Sequence, residues 1–385
     1  MAHYQLWRIA YCLPAIACLL CFSRLETACG ADAVKSADGA RSYEEAVGKA
    51  IEYLRTKGQA EDGSFSAKAG PAVTALVTTA VLESGRKVGD PVVAKSLAYL
   101  QGFVQPDGGI YQPESRHRNY ETCVGLMCFA AANADGRYNA VVKNAETFLK
   151  KGQWDESEDL QPSNVAYGGA GYGQAERPDL SNTQFFLEAL KAAGAGPDDE
   201  AVKRALVFVS RCQNLESANN TTEFAAKNPD GGFYYTPAGG GRSMAEKTDS
   251  GGLRSYGSMT YAGLKSMLYC GVSPDDPRIK AAIEWLRKHY TLEANPGMGD
   301  ANPTMANAGL YYYYHVFAKA LSALKSPTFT DADGKEHDWR KELTAVLVSR
   351  QQPDGSWVNE NARWMEGDPN LTTGYALLAL SYCRP

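Results

Sequence analysis

Gln59-Ala60-Glu61-Asp62-Gly63-Ser64-Phe65 is a short phrase that the chain repeats. It returns as Gln105-Pro106-Asp107-Gly108-Gly109-Ile110 and as Gln352-Pro353-Asp354-Gly355-Ser356-Trp357. A degraded copy has Gln213 followed later by Pro229-Asp230-Gly231-Gly232-Phe233. Internal repetition of this kind marks an architecture of stacked supersecondary units, each burying its apolar face against its neighbours. Asp-Gly supplies a tight turn with a residue at positive φ. The bulky residue after it (Phe65, Phe233 or Trp357) is expected to plug between adjacent helices, and the Gln amide to bind a neighbouring helix end. The phrases read as pins of the architecture, not as catalytic groups.

Around these phrases the sequence reads as helix pairs. First helices are expected to begin near Tyr43, Pro91, Asn139, Asp198, Asp276 and Asp338. Second helices are expected near Pro71, Tyr120, Leu180, Tyr256, Asn307 and Leu371. The first kind is amphipathic: Ala46, Val47, Ala50, Ile51 and Leu54 form a stripe, with Glu44, Glu45, Lys49, Glu52 and Arg55 off it. Such a helix keeps one face in water. The second kind is apolar nearly all round (Ala72–Leu82, Cys123–Ala132, Tyr375–Leu380) and must be covered on both sides. A ring of buried helices inside a ring of amphipathic ones is an all-α fold, a six-repeat (α/α)6 toroid or barrel. Insertions are expected around Asn214–Leu253 and Pro327–His337, where the repeat spacing lengthens.

The chain has 385 residues, 44% hydrophobic and 22% charged, as in ordinary globular proteins. A net charge of -5 argues against nucleic acid or an anionic membrane surface as partner. At the N-terminus Arg8 precedes an apolar run from Ile9 to Phe22, and small residues follow at Ala28, Gly30 and Ala31. That pattern predicts a secretory signal peptide over 1–30, a short linker over 31–42 and a single domain over 43–385. The protein is then exported to a periplasm, the medium or the cell surface. Cys29 stands where a lipid anchor would attach, but Glu26 replaces the aliphatic residue of a lipobox, which argues against lipidation. No other stretch is long and apolar enough to cross a bilayer. Beyond the leader, Cys123, Cys128, Cys212, Cys270 and Cys383 are too sparse and odd in number for a disulfide framework, and read as small buried hydrophobes.

The Gln-to-Trp phrase resembles the QW motif of squalene cyclases and the related repeats of protein prenyltransferase β subunits, from about Tyr43 to Cys383. The resemblance implies a terpenoid cyclase/prenyltransferase toroid with a cavity at the N-terminal ends of its inner helices. Those families' catalytic residues are not found at the matching positions. There is no Asp-x-Asp-Asp motif, and Asp198-Asp199 and Asp275-Asp276 read as helix caps. Where a prenyltransferase has its Asp-x-Cys zinc ligands stands Arg254-Ser255-Tyr256, and its His ligand position falls on Thr372. No metal or other cofactor is therefore expected.

At the expected cavity mouth the candidate catalytic residues are Arg254, Tyr256, Glu121 and Asp368. Candidate ligand-binding residues are Arg118, Tyr120, Asp179, Asn182, Tyr312, His315, Arg363 and Trp364. Six helix N-termini with Arg118 and Arg254 would suit an anionic group, and aromatic walls an isoprenoid, a lipid, a sugar face or a cation. Asp179 and Asn182 also suit a helix cap, and His315 a packed core position. Of the four consecutive tyrosines Tyr311 to Tyr314, at most two reach a cavity. Three readings follow: a cyclase/prenyltransferase-like enzyme, an exported non-catalytic binding toroid, or a glycoside-cleaving α/α barrel using Glu121, Glu366 and Asp368. The stretches Gly168-Gly169-Ala170-Gly171-Tyr172-Gly173 and Gly239-Gly240-Gly241 read as rim loops able to gate the cavity, and Asp331-Ala332-Asp333-Gly334 as a turn.

Overall fold

The computed structural model describes residues 42–173 and 176–384. The expected leader, Cys29 and the linker up to residue 41 lie outside the described residues. The described residues are mostly helical, with almost no sheet among them. One set of helices is α1 (42–53, ending in a π-helical turn Leu54–Gly58), α3 (Pro91–Gln101), α5 (Asn139–Lys151), α7 (Glu200–Arg211), α10 (Pro277–Lys288) and α12 (Trp339–Arg350). The other set is α2 (Pro71–Glu83), α4 (Arg118–Ala131), α6 (Leu180–Ala192), α9 (Gly257–Tyr269), α11 (Leu310–Ala323) and α13 (Pro369–Ser381). All twelve begin within three residues of the starts read from the sequence. Between α7 and α9 lies the short α8 (Glu223–Lys227), with its own small core of Phe224, Tyr234 and Leu253. Between α11 and α12 an antiparallel pair of two-residue strands, β1 (Phe329–Thr330) and β2 (Glu336–His337), encloses the Asp331–Gly334 turn. The sequence reading treated this insertion as loop.

The two sets differ in burial as their composition requires. Helix α12 buries only Trp339, Leu343 and Leu347, one face at i, i+4, i+8. Helix α9 buries every residue from Gly257 to Met267. Helix α2 packs against α13 and α4, α4 against α6, α6 against α9, α9 against α11, and α11 against α13. The first, less buried set (the outer helices) packs on the second, more buried set (the inner helices): α3 lies on α2, α5 on α4, α7 on α6 and α9, α10 on α9 and α12 on α13. The short polar side chains Asp90, Asp199, Asp276 and Asp338 cap α3, α7, α10 and α12 by accepting first-turn N–H groups. All five described cysteines are free and buried.

The repeated phrase makes three contacts in common, and a fourth, from its Gln, that varies. The Asp carboxylate accepts from the N–H two residues on, as Asp62 does from Ser64 at 2.9 Å and Asp354 from Ser356 at 3.1 Å. The following Gly is at positive φ, and its backbone rests on a carbonyl of the next outer helix: Gly63 on Lys95 of α3, Gly355 on Lys49 of α1. The bulky residue is fully buried, and its N–H donates to a threonine of the following inner helix. These bonds are Phe65 to Thr74 (2.9 Å), Ile110 to Thr122 (3.0 Å), Phe233 to Thr260 (3.1 Å) and Trp357 to Thr373 (3.1 Å). The Gln amide donates to the first turn of the next outer helix: Gln59 to Val92 O (2.8 Å), Gln153 to Ala201 O (2.9 Å), Gln213 to Arg278 O (2.8 Å).

Two positions differ from the sequence reading. In the last repeat the pin is Gln351, which donates to Ala46 O of α1 at 2.9 Å, and not Gln352. The reason is spacing: Gln59 and Gln351 each stand three residues before the Asp, whereas Gln105 and Gln352 stand two before it. Gln105 accordingly folds back onto its own loop, donating to Tyr111 O at 2.9 Å. In the third repeat Gly168 takes the place of the Asp-Gly glycine, against Arg204 O, and Ala170 N donates to Thr183 Oγ1 at 3.0 Å. The glycine-rich stretch is therefore a turn of the repeat. It is tied down by bonds between Trp154 and both Gly168 and Gly169 and from Asn119 N to Tyr172 O.

Candidate functional site

The recurring threonines fix the rotation of five inner helices, and that sets what faces inward. Two residues before Thr74, Thr122, Thr183, Thr260 and Thr373 stand Ala72, Tyr120, Ser181, Ser258 and Leu371. All five line one cavity of ≈ 270 Å³, and Tyr312 of α11 completes the contribution of all six inner helices. Six tyrosines wall it: Tyr120, Tyr172, Tyr235, Tyr256, Tyr312 and Tyr375. Phe185, Trp364 and the methionines Met244, Met259 and Met365 supply apolar surface. The rings meet edge-on, Tyr120 against Phe185 at 5.3 Å and Tyr312 against Tyr375 at 5.8 Å, the arrangement that aromatic quadrupoles favour. At the rim Trp364 and Met365 are 41% and 46% exposed, and both have left-handed backbone at φ 54° and 67°. That strained conformation turns two large apolar side chains outward beside the opening.

The charged groups of the lining are Glu121 and Glu366; it contains no Lys or Arg. Both carboxylates are occupied. Glu121 accepts from Ser115 Oγ at 2.6 Å and Gln112 N at 2.8 Å. Glu366 accepts from the first-turn N–H groups of α11, Tyr311 at 3.2 Å and Tyr312 at 2.8 Å, and from Asn359 Nδ2 at 2.6 Å. It caps a helix whose own N-cap residue is Gly309, which has no side chain to do so. Burial pushes its carboxyl up to about 7, against the pull of those donors.

Of the residues singled out in the sequence, the structure brings Glu121, Tyr256, Tyr120, Tyr312 and Trp364 to the cavity. The Tyr256 hydroxyl makes no hydrogen bond among the described residues, so it is free to meet a ligand. Arg254 is not in the lining: its side chain turns to the 243–254 loop and donates to Lys247 O at 3.3 Å. Asp368 is the N-cap of α13, bonded to the N–H groups of Asn370 and Leu371. Arg118 lies over the Tyr111 ring at 5.0 Å and donates to Ser115 O. Arg363 is exposed, over the ring of Trp364. Asp179 caps α6, and Asn182 donates to it from both its backbone and its side chain at 2.8 Å. Burial raises the Asp179 carboxyl to about 6 despite those bonds. Tyr313 and Tyr314 donate to the carbonyls of Thr291 and Leu292, which leaves Tyr312 as the cavity-facing member of the quartet. His315 stacks on Tyr375 and is buried; burial and the nearby Lys319 ammonium lower its imidazole to about 3, so it is neutral.

Beneath the cavity is a group of charges that sequence reasoning missed. Glu188 of α6 pairs with Lys265 of α9 and, at 2.5 Å, with Lys319 of α11. Lys265 also donates to Gln184. Glu188 and Lys265 are almost completely buried. Burial works against the carboxylate, but the two ammonium groups outweigh it and hold Glu188 down to about 2. The signal was available: Lys265 and Lys319 are each the sole Lys, Arg, Asp or Glu of an apolar inner helix, Glu188 shares α6 only with Lys191 in its last turn, and a charge there needs a partner. Among the described residues no cluster of three or more His, Cys, Asp or Glu side chains is arranged to hold a metal ion. No described helix is long and apolar enough to cross a membrane. Compared with known protein families and with functionally curated proteins, the chain matches none.

Proposed function

We propose that the protein is an exported six-repeat (α/α)6 toroid of the terpenoid cyclase/protein prenyltransferase type, whose central cavity binds a hydrophobic, uncharged ligand of isoprenoid or lipid character. The observation that carries this reading is the single aromatic cavity to which all six inner helices contribute. The pairwise packing of those helices, with α13 against α2, and the Gln351 bond to α1 support closure of the ring. An anionic ligand is less favoured than the helix termini suggest in isolation. At three of the six termini the partial positive charge is already met by the protein's own carboxyl groups: Asp179 on α6, Glu366 on α11 and Asp368 on α13. Arg118 and Arg254, which would have attracted an anion, are engaged elsewhere. The same occupancy weighs against a glycoside-cleaving pair, since Glu121 and Glu366 are both held as acceptors and Asp368 is a cap. The reading is therefore of ligand binding on a cyclase-like scaffold.

Titration with farnesol, followed by native mass spectrometry and tryptophan fluorescence, tests this. A saturable one-to-one complex is expected, with a fluorescence change that disappears in Trp364→Phe. Absence of a complex, or an unchanged signal in that variant, defeats the proposed site. Cell fractionation of the full chain tests export; retention in the cytoplasm rejects it.

A further inference from the structure

The hydrogen-bond pattern of the cavity floor defines the polarity of the group it meets. Ser181 Oγ and Tyr312 Oη lie 3.1 Å apart, and both residues line the cavity. Gln184 Nε2 stands 3.3 Å from the same Tyr312 oxygen. A primary amide offers an oxygen that accepts and a nitrogen that donates, and which one faces Tyr312 depends on the other end. Here the other end meets Lys265, whose ammonium donates and cannot accept. Burial lowers Lys265 only to about 8, so it is protonated at neutral pH. Glu188 holds it in place. The amide oxygen therefore belongs to Lys265, and the NH2 group must point at Tyr312.

The consequence follows by counting protons. Ser181 and Tyr312 carry one hydroxyl hydrogen each, and the bond between them uses one. Whichever of the two donates, one hydrogen is left over. Gln184 cannot take it, because it presents a donor. The lining carboxylates do not take it either; they accept from Ser115 Oγ, Gln112 N, Tyr311 N, Tyr312 N and Asn359 Nδ2. We infer that the buried Glu188–Lys265 pair, acting through Gln184, holds Ser181 and Tyr312 as a one-proton donor to the ligand, so that the ligand carries an acceptor oxygen (hydroxyl, carbonyl or ether) at the α6–α11 side of the cavity. Glu188, Lys265 and Gln184 are positioning residues in this scheme, and Ser181 and Tyr312 determine specificity. The inference rests on the proposed ligand-binding role of the cavity for its second half, and on the protein alone for its first.

Each half has its own measurement. Without ligand, the infrared C–O stretch of Tyr312, isolated as the difference between the protein and Tyr312→Phe, reports whether the phenol donates, accepts or does both. Replacing Gln184 by Glu keeps an acceptor for Lys265 but turns the NH2 donor facing Tyr312 into an acceptor, so the phenol should donate to it and the Tyr312 band should move. Gln184→Met, which removes the NH2 donor, should move the band as well. A band unchanged in both variants overturns the lock. With ligand, farnesol, its methyl ether and the hydrocarbon farnesene are compared. The alcohol and ether should bind alike and the hydrocarbon about tenfold more weakly, the worth of one hydrogen bond. Ser181→Ala/Tyr312→Phe should erase that difference. Equal binding of all three, or a difference that survives in the double variant, overturns the inference while leaving the cavity's role intact. If none of the three binds, the proposed function falls and the infrared result alone decides the lock.

Discussion

The turns that carry the recurring sequence phrase and the cavity between the inner helices share one hydrogen-bonding frame, and they use it in opposite ways. In the units of Phe65, Ile110, Phe233 and Trp357 the turn places an Asp, a Gly, a bulky residue and a threonine in the same contacts. The inner helices begin from that common register and then diverge: the positions two before the threonines are Ala72, Tyr120, Ser181, Ser258 and Leu371, and only Ser181 and Ser258, on the adjacent α6 and α9, are alike. Repetition fixes where side chains point, and variation on that fixed frame makes a cavity with a distinct wall on each side. Beneath the cavity the inner helices also hold three buried or half-buried charges on three helices, whereas the carboxylates of the turns, such as Asp62 and Asp354, lie exposed and take backbone N–H groups.

This buried charge group should therefore be the region most sensitive to a single change. Glu188→Leu leaves the Lys265 and Lys319 ammoniums unpaired, and breaking a buried ion pair from one side costs about 3–5 kcal/mol. Urea unfolding of Glu188→Leu against Glu188→Leu/Lys265→Met/Lys319→Met checks this: the triple variant should recover most of the loss. A pH series sharpens it. The Glu188 carboxyl lies at about 2 in the fold against an ordinary 4.5. A carboxyl whose folded pKa is depressed adds stability above its unfolded value and loses it as pH falls. Stability should thus decline between pH 4.5 and 2, and that part of the decline should be missing in the triple variant.

Next in size come the turn glycines, where the comparison is between a crowded and an open position. A Cβ on Gly355, at φ +94°, would sit 2.3 Å from Lys49 O, which is backbone and cannot give way. Gly85 has nearly the same φ, +92°, with nothing within 4 Å. Left-handed strain alone costs about 1 kcal/mol or a little more. Gly85→Ala should lose that much, and Gly355→Ala about 3 kcal/mol in thermal or urea unfolding. Equal losses would mean that the turn does not press on α1. Smaller again is Thr373→Val, which leaves the buried Trp357 N–H without its acceptor and should cost about 1–2 kcal/mol by the same measurement.

How far this contrast is readable from sequence follows from what each region depends on. The helix starts and the two classes of helix were legible, because they rest on local periodicity and on Asp caps such as Asp199 and Asp276. Glu121, Tyr120, Tyr256, Tyr312 and Trp364 were reached by assuming that inner-helix N-termini face a cavity. Arg254 and Asp368 were chosen by the same assumption, yet a flexible side chain beside a loop carbonyl and an Asp one turn too early both find local partners first. Tyr172, Tyr235 and Met244 come from loops whose path no periodicity encodes. The Glu188–Lys265–Lys319 group required knowing that α6, α9 and α11 are neighbours, a long-range fact.

The finest test of the repeat lies in two adjacent glutamines of one sequence phrase. Gln351 and Gln352 are the same residue type, one position apart, before the same Asp354-Gly355 turn. Gln351 Nε2 donates to Ala46 O and to Gly355 O, both at 2.9 Å, and so joins the α12–α13 connection to α1. Gln352 takes part in the turn through its backbone, whose N–H meets Ser356 O at 2.8 Å and whose carbonyl accepts from Gly355 N at 2.9 Å. Those bonds survive any side-chain replacement. Gln351→Ala should then cost about 1–2 kcal/mol, two partly buried hydrogen bonds lost with one acceptor left near the surface, and Gln352→Ala less than about 0.5 kcal/mol. If the two substitutions are equivalent in urea unfolding, the contact between the last turn and the first helix carries no stability. If the order reverses, the pin belongs to the residue two before the Asp, and Gln105 rather than Gln59 is the better guide to the remaining turns.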